Sequence, residues 1–243
     1  MLEHAKKVQQ AFDKAADTYD EHANLQFHAG QQLISYLPVL DFPHIVDLGC
    51  GTGAITKQLA ETCQFETLYA IDTSVMSLAI ASSRLNKTGI TVNQMNFDVS
   101  LPGTHLYDLA FANMSLHWSL NFETLLKRID ERLSPQGIFA FSIPLADTFK
   151  ELTPHFAVNH FLSADEIHQH FNKTQRHMIA AHQETVSLSF PDTLSALRYL
   201  KRIGVHYTST RRYTGLSGKN MLESTDINTL TYQLGYFVAR KES

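Results

Sequence analysis

A chain of 243 residues, 44% hydrophobic and 18% charged, has the composition of an ordinary folded protein with room for a substantial core, and that balance excludes wholesale disorder. Its formal charge of −4 gives no encouragement to nucleic-acid binding, and no apolar run reaches the ~18–20 residues of a membrane span. Two cysteines, Cys50 and Cys63, make no disulfide framework, and MLEHAKKVQQAF lacks a signal-peptide core, so a cytoplasmic protein is expected.

Residues 5–36 read as helical, with Val8, Phe12, Ala15, Ala16 and Tyr19 recurring at three- and four-residue steps, and form an N-terminal cap over 1–43. From residue 44 strands and helices alternate. Strands are predicted at 44–49, 67–72, 91–98, 108–115 and 137–144, with helices at 54–63, 74–85 and 122–133. Thr73 or Ser74 would cap the second of these helices. Helices are also expected within 145–182, followed by strands at 184–190 and 230–240. The segment 191–229 is too long for an ordinary connection and is expected to fold into helices as a lid or substrate wall. The fold class is therefore α/β, a doubly wound, seven-stranded, mostly parallel sheet in a single domain, with the cofactor-binding core at 44–190 and the last strand at 230–243.

Glycines dominate the exit of the first strand, IVDLGCGTGAI, residues 45–55. In a doubly wound sheet, ligands bind beyond the carboxyl ends of the strands, where strand order reverses. Gly49, Gly51 and Gly53 would let a ligand approach the backbone closely. Glycine spacing alone leaves a dinucleotide, another nucleotide or a structural turn open. The pattern is GxGxG, whereas the dinucleotide fingerprint is GxGxxG. Asp47, inside the entry strand, suits an amino group better than a pyrophosphate. Asp72 ends the second strand, placed to accept from ribose hydroxyls, and Asp98 is expected to end the third, placed to accept from an adenine amino group.

On VDLGCGTG, the acids of AID72 and NFD98 and the exit FANMSLHW, the region 44–144 resembles the class I S-adenosylmethionine-dependent methyltransferases. The resemblance implies that Asp47, Gly49, Gly51, Gly53, Asp72, Thr73, Asp98, Val99 and Asn113 bind S-adenosyl-L-methionine, with Asn113 facing the reacting methyl group. The Pro-Pro-aromatic exit of many base-modifying relatives is absent from NMSLHW.

Residues 193–222 contain no acid and six bases, Arg198, Lys201, Arg202, Arg211, Arg212 and Lys219, so this segment carries +6 while the remainder carries −10. Such a stretch is either a solvated surface or a face for an anionic partner. AFDKAADTYDEHANLQ, NMSLHW, FPDTLSALRYLKRIG, RRYTGLSG and LTYQLGYFVAR together resemble the malonyl-acyl-carrier-protein O-methyltransferases of biotin synthesis, over nearly the whole chain. That resemblance implies methylation of the free carboxylate of a malonyl thioester, and an acidic acyl carrier protein as partner of the basic segment. No dedicated base is expected, because a carboxylate is already ionised near neutral pH. Tyr19 would close over the cofactor or serve as a core aromatic, and His117 and Trp118 would line the acyl group. No metal, nucleic acid or membrane is expected. A methyltransferase of small carboxylic acids such as aconitate, and a non-enzymatic cofactor-binding partner protein, are the alternatives.

Overall fold

The computed structural model describes residues 2–174, 176–205 and 226–242. Helices α1 (Leu2–His22) and α2 (Asn24–Ser35) precede the alternating core of β1 (His44–Leu48), α3 (Ala54–Thr62), β2 (Thr67–Asp72), α4 (Val75–Arg84), β3 (Ile90–Gln94) and β4 (Tyr107–Asn113). A 3-10 turn, Leu116–Trp118, leads to α5 (Phe122–Arg132) and β5 (Leu133–Pro144). The chain continues through α6 (Ala164–Asn172), β6 (Arg176–Ser189), α7 (Thr193–Arg202) and β7 (Thr229–Lys241).

The seven strands form one sheet in the order β3-β2-β1-β4-β5-β7-β6. The first five are mutually parallel, and β7 runs antiparallel to both neighbours. Strand alternation divides the core between the two faces. Ile45, Leu109, Phe111, Ile138 and Ala140 pack beneath α2, α3, α4 and α7, while Val46, Ala110, Phe139 and Phe141 pack beneath α5 and α6. Covering both faces explains the near-continuous apolar strands. Because β2 and β3 lie to one side of β1 and β4 and β5 to the other, the order reverses between β1 and β4, and a crevice opens at their carboxyl ends.

The expected helix over 5–36 is broken at Ala23, which has a non-helical ψ of 27° and starts α2. Ser74, rather than Thr73, caps α4, its hydroxyl accepting from Ser77 N. Two expectations need correction. The third strand ends at Gln94, not at Asp98; Asn96 captures the Asp98 N–H with its side chain and the Val99 N–H with its carbonyl, turning the chain. Residues 176–182, within a stretch expected to hold helices, belong to β6; charged Arg176 is buried and Ile179 exposed, so hydropathy does not follow the alternation in burial.

Candidate active site

The β1 exit is built from positive backbone angles. Gly49, Gly51 and Gly53 have φ of 81°, 53° and 76°, a region that costs other residues roughly 1–2 kcal/mol. Their neighbours differ. A Cβ at Gly49 would sit 2.5 Å from Ser115 Cβ, and at Gly53 3.0 Å from Leu85 Cδ1, whereas at Gly51 it would meet nothing within 4 Å. Gly51 therefore leaves open the space a ligand would use. Gly53 starts α3 and lets α4 approach, and it lies outside the lining of the cleft.

That cleft holds about 840 Å³ of space between protein atoms, mouth included, within the ~300–1,000 Å³ range of small-molecule sites. It brings together Tyr19, Gly49, Gly51, Asp72, Thr73, Asp98, Asn113 and Trp118. A contiguous recess adds Asp47, Cys50 and Gln26. Val99 is a correction: it is 71% exposed, outside the lining, with its N–H held by Asn96 O.

The acids at the strand ends and in the turn beyond β3 also hold the site's walls. Asp72 accepts from Gly51 N at 2.9 Å and from Ser74 N at 2.8 Å, which leaves lone pairs on both oxygens for a ligand's hydroxyls. Burial raises its pKa, and the backbone donors oppose that rise. Asp98 accepts from Ser119 Oγ at 2.6 Å and from Leu120 N at 3.1 Å, tying the turn after β3 to the turn after β4. Asp47 is 3% exposed and accepts from Thr56 Oγ1 at 2.6 Å; burial, reinforced by the charge of Asp72, pushes its pKa up to about 7. Glycine geometry, free lone pairs and carboxylates at two strand ends and in the turn beyond the third fit a ligand bearing a diol, a ring amino group and an ammonium.

Helix α1 closes the cleft from above. Asp13 accepts from Ser74 Oγ at 2.7 Å, and Asp20 accepts from Thr52 Oγ1 at 2.6 Å and pairs with Arg84 at 2.6 Å. No local pattern in the sequence marks these acids, because their partners lie 32–64 residues away. On the same helix Phe12 meets the Trp118 ring edge-on at 5.7 Å, and Tyr19 lines the cleft. Burial, with the charges of Asp72 and Asp20 in support, raises the Tyr19 pKa, so it remains a phenol.

Beyond the cleft lies a third space, lined by Phe12, Tyr19, Gln26, Met114, His117, Trp118, Phe149, Phe161, Ile203 and Tyr232 among others. Tyr19 lines all three spaces and marks their junction. Met114 also lines the junction, at φ 52°, immediately after Asn113, whose amide donates to Gln26 O at 2.9 Å and accepts from Ser142 Oγ at 2.7 Å. Strained residues of this kind persist where surrounding structure over-determines them, commonly at functional sites. His117 is held between Trp118 and Phe161, and its burial drives the pKa down to about 3, so the ring is neutral at physiological pH.

The chain just beyond helix α7, at Ile203 and Val205, forms part of the wall of this third space. The α7 cap Asp192 accepts from Ser195 N, the helix's buried Ala196 and Leu200 face inward, and Gly204, at φ 77°, ends it where a Cβ would meet Phe12 at 2.8 Å. Arg198, Lys201 and Arg202, at helical steps of three and four, are exposed on its outer face, while Ile203 lines the third space. Arg211 and Arg212 lie outside the described residues. No helix among the described residues is long and apolar enough to cross a membrane.

A methyltransferase-domain family model matches residues 46–141. Malonyl-[acyl-carrier protein] O-methyltransferase 2 of Coxiella burnetii is 33% identical over 239 residues, covering 97% of this chain and 96% of that one. A trans-aconitate 2-methyltransferase of Delftia acidovorans is 34% identical over 126 residues, covering 52% of this chain and 47% of that one. Among solved structures, N-methyltransferase NodS of Bradyrhizobium japonicum in complex with S-adenosyl-L-homocysteine aligns with a TM-score of 0.61 at 14% identity, over 98% of this chain and 100% of that one.

Proposed function

The chain belongs to the malonyl-[acyl-carrier protein] O-methyltransferase family, and from that premise we propose that it methylates the free carboxylate of a malonyl thioester carried on acyl carrier protein. The product would be the methyl ester that primes pimeloyl synthesis for biotin. The methyl donor is S-adenosyl-L-methionine, which supplies a sulfonium-bound methyl carbon: a carboxylate oxygen bonds to that carbon as the S–C bond breaks, the electron pair stays on sulfur, and the products are a neutral ester and a neutral thioether. No proton changes hands.

The observation that carries this reading is the junction at Tyr19, where a cleft edged by carboxylates meets a cavity without charged side chains among the described residues. In our reading Gly51 and Asp72 hold the nucleoside, Asp98 its adenine and Asp47 the ammonium, which would draw that carboxyl toward its ionised form. Tyr19 and Asn113 border the position of transfer. Methylation consumes a negative and a positive charge, so a dry, weakly polar site favours the transition state over separated, hydrated ions. Alignment supplies most of the remainder, since well-oriented reactants gain as much as ~7–11 kcal/mol.

The exposed Arg198, Lys201 and Arg202 lie within about one and a half helical turns of Ile203 in the cavity wall. An acidic carrier protein docked on this face would present its thioester arm close to the cavity, with the charges steering encounter. We read residues 1–243 as one methyltransferase domain, walled by α1 and by the chain at the end of α7.

Incubation with labelled S-adenosylmethionine and, separately, malonyl carrier protein, malonyl-coenzyme A, free malonate or trans-aconitate tests the proposal. Label on the carrier protein as a methyl ester is expected; label on the free acids alone overturns it. Complementation of a strain that requires biotin for lack of this step checks the biological role.

A further inference from the structure

Among the described residues, three that line the third space carry buried polar atoms without a hydrogen-bond partner: Gln26 Oε1, His117 Nδ1 and the Tyr232 hydroxyl. They come from α2, the turn after β4 and β7, so no local motif accounts for their meeting. Gln26 and Tyr232 are 7% and 2% exposed. Burial raises the Tyr232 pKa and the nearby Tyr199 hydroxyl adds to the rise, but the two hydroxyls fall short of full hydrogen-bond geometry with each other and with the other described residues. An unsatisfied buried polar atom normally costs about 1–3 kcal/mol, so three around one cavity call for a ligand that answers them. Strain points to the same place, because Met114 and Phe149, with φ of 52° and 61°, both line this cavity.

We propose that Gln26, His117 and Tyr232 form the cradle that holds the non-attacking oxygen of the acceptor's carboxylate, and that this cradle admits an acceptor bearing a single carboxylate. The inference rests on the carboxyl-methylation reading above. The amide presents its NH₂ end when flipped, the imidazole its Nδ1–H tautomer, and the phenol its O–H, giving three uncharged donors. Burial keeps both Tyr232 and His117 in their neutral forms.

Neutral donors suit the reaction better than a cation would. The carboxylate loses its charge as the ester forms, so an Arg or Lys in contact would stabilise the starting anion more than the transition state and raise the barrier. Three dipoles orient the group at lower cost to its nucleophilicity. The same composition sets specificity. Among the described residues no Lys, Arg, Asp or Glu lines this cavity, so a second or third carboxylate would be buried without a counter-charge, which is strongly unfavourable. A malonyl thioester, whose other carboxyl is masked, meets the requirement; free malonate and aconitate do not.

The test uses the full chain loaded with S-adenosylhomocysteine and titrated with malonyl-pantetheine, a probe that fills the cavity without the carrier-protein contact. Tyr232→Phe and His117→Leu are each expected to weaken this probe by about 10-fold or more while changing the affinity for S-adenosylhomocysteine less than twofold. His117→Asn, which keeps a nitrogen near the Nδ1 position, should recover more binding than His117→Gln. Free malonate and trans-aconitate should bind at least 100-fold more weakly than malonyl-pantetheine. If both single variants bind the probe within twofold of the parent, or if lowered melting temperature is their only effect, the three atoms hold a structural water and the proposal is wrong. Tight binding of aconitate overturns the specificity half. An unmutated protein that methylates no carboxylate thioester overturns the underlying reading instead, so the two failures are separable.

Discussion

The cleft and the neighbouring cavity meet at Tyr19 yet are made in opposite ways. The cleft is drawn mostly from residues 47–120, where each wall element is a strand tip or the first turn beyond it, and it works through backbone angles and carboxylates. The cavity is drawn from residues 12 to 232, and it works through aromatic surface and uncharged polar atoms. A charged, backbone-built site can bind an invariant cofactor, whereas a neutral, side-chain-built site can be tuned to one acceptor. That division suits a reaction in which opposite charges meet and vanish.

The sharpest way to break the cleft side of this comparison is Gly49→Ala. Its Cβ would collide with Ser115 at 2.5 Å, and with the cost of φ 81° this should remove about 2–4 kcal/mol of stability and abolish cofactor binding, read by thermal melts and calorimetry. Gly51→Ala separates the two contributions: its Cβ meets no atom of the described residues within 4 Å, so it should cost only about 1–2 kcal/mol in folding while still obstructing the ligand. Wild-type cofactor affinity in that variant would contradict the assignment of this glycine to the ligand.

Next in size is the pH response of Asp47. Its folded pKa, about 7, is above the ordinary 3.8, so the folded state binds the proton more tightly. The contribution to stability is full below about pH 4 and is lost as pH rises through 7. Between pH 5 and pH 8 the cofactor-free protein should therefore lose about 2–3 kcal/mol that an Asp47→Asn variant does not, as measured by denaturant titration. Equal pH slopes for the two proteins would show that the carboxyl is ionised throughout.

The smallest effect is expected on the outer wall. Arg198→Glu or Lys201→Glu should weaken carrier-protein association by about 3–30-fold, most strongly at low salt, and leave cofactor affinity unchanged. Equal loss of both affinities would remove α7 from the docking face.

These contrasts follow how much of each region was legible along the chain. Strand and helix alternation, the glycine exit and the acids of AID72 and NFD98 are local patterns, and the observed sheet order agrees with the fold they imply. Two local readings failed for physical reasons: the Asn96 turn ends β3 early, and a buried Arg176 beside an exposed Ile179 disguises the start of β6. Gly53 and Val99 share the motif's spacing but not its surface, since one faces α4 and the other faces solvent.

By itself, the sequence determined which segments become strands and helices, where the chain must turn with positive φ, and which end of the sheet carries acids, because these depend on residues within a few positions of one another. Only the tertiary structure decided that Gly51 alone of the three glycines opens on empty space, that Asp13 and Asp20 fasten α1 over the cleft, and that Gln26, His117 and Tyr232 share one cavity. Those outcomes depend on packing between elements separated by up to two hundred residues, where no periodicity or spacing records the meeting.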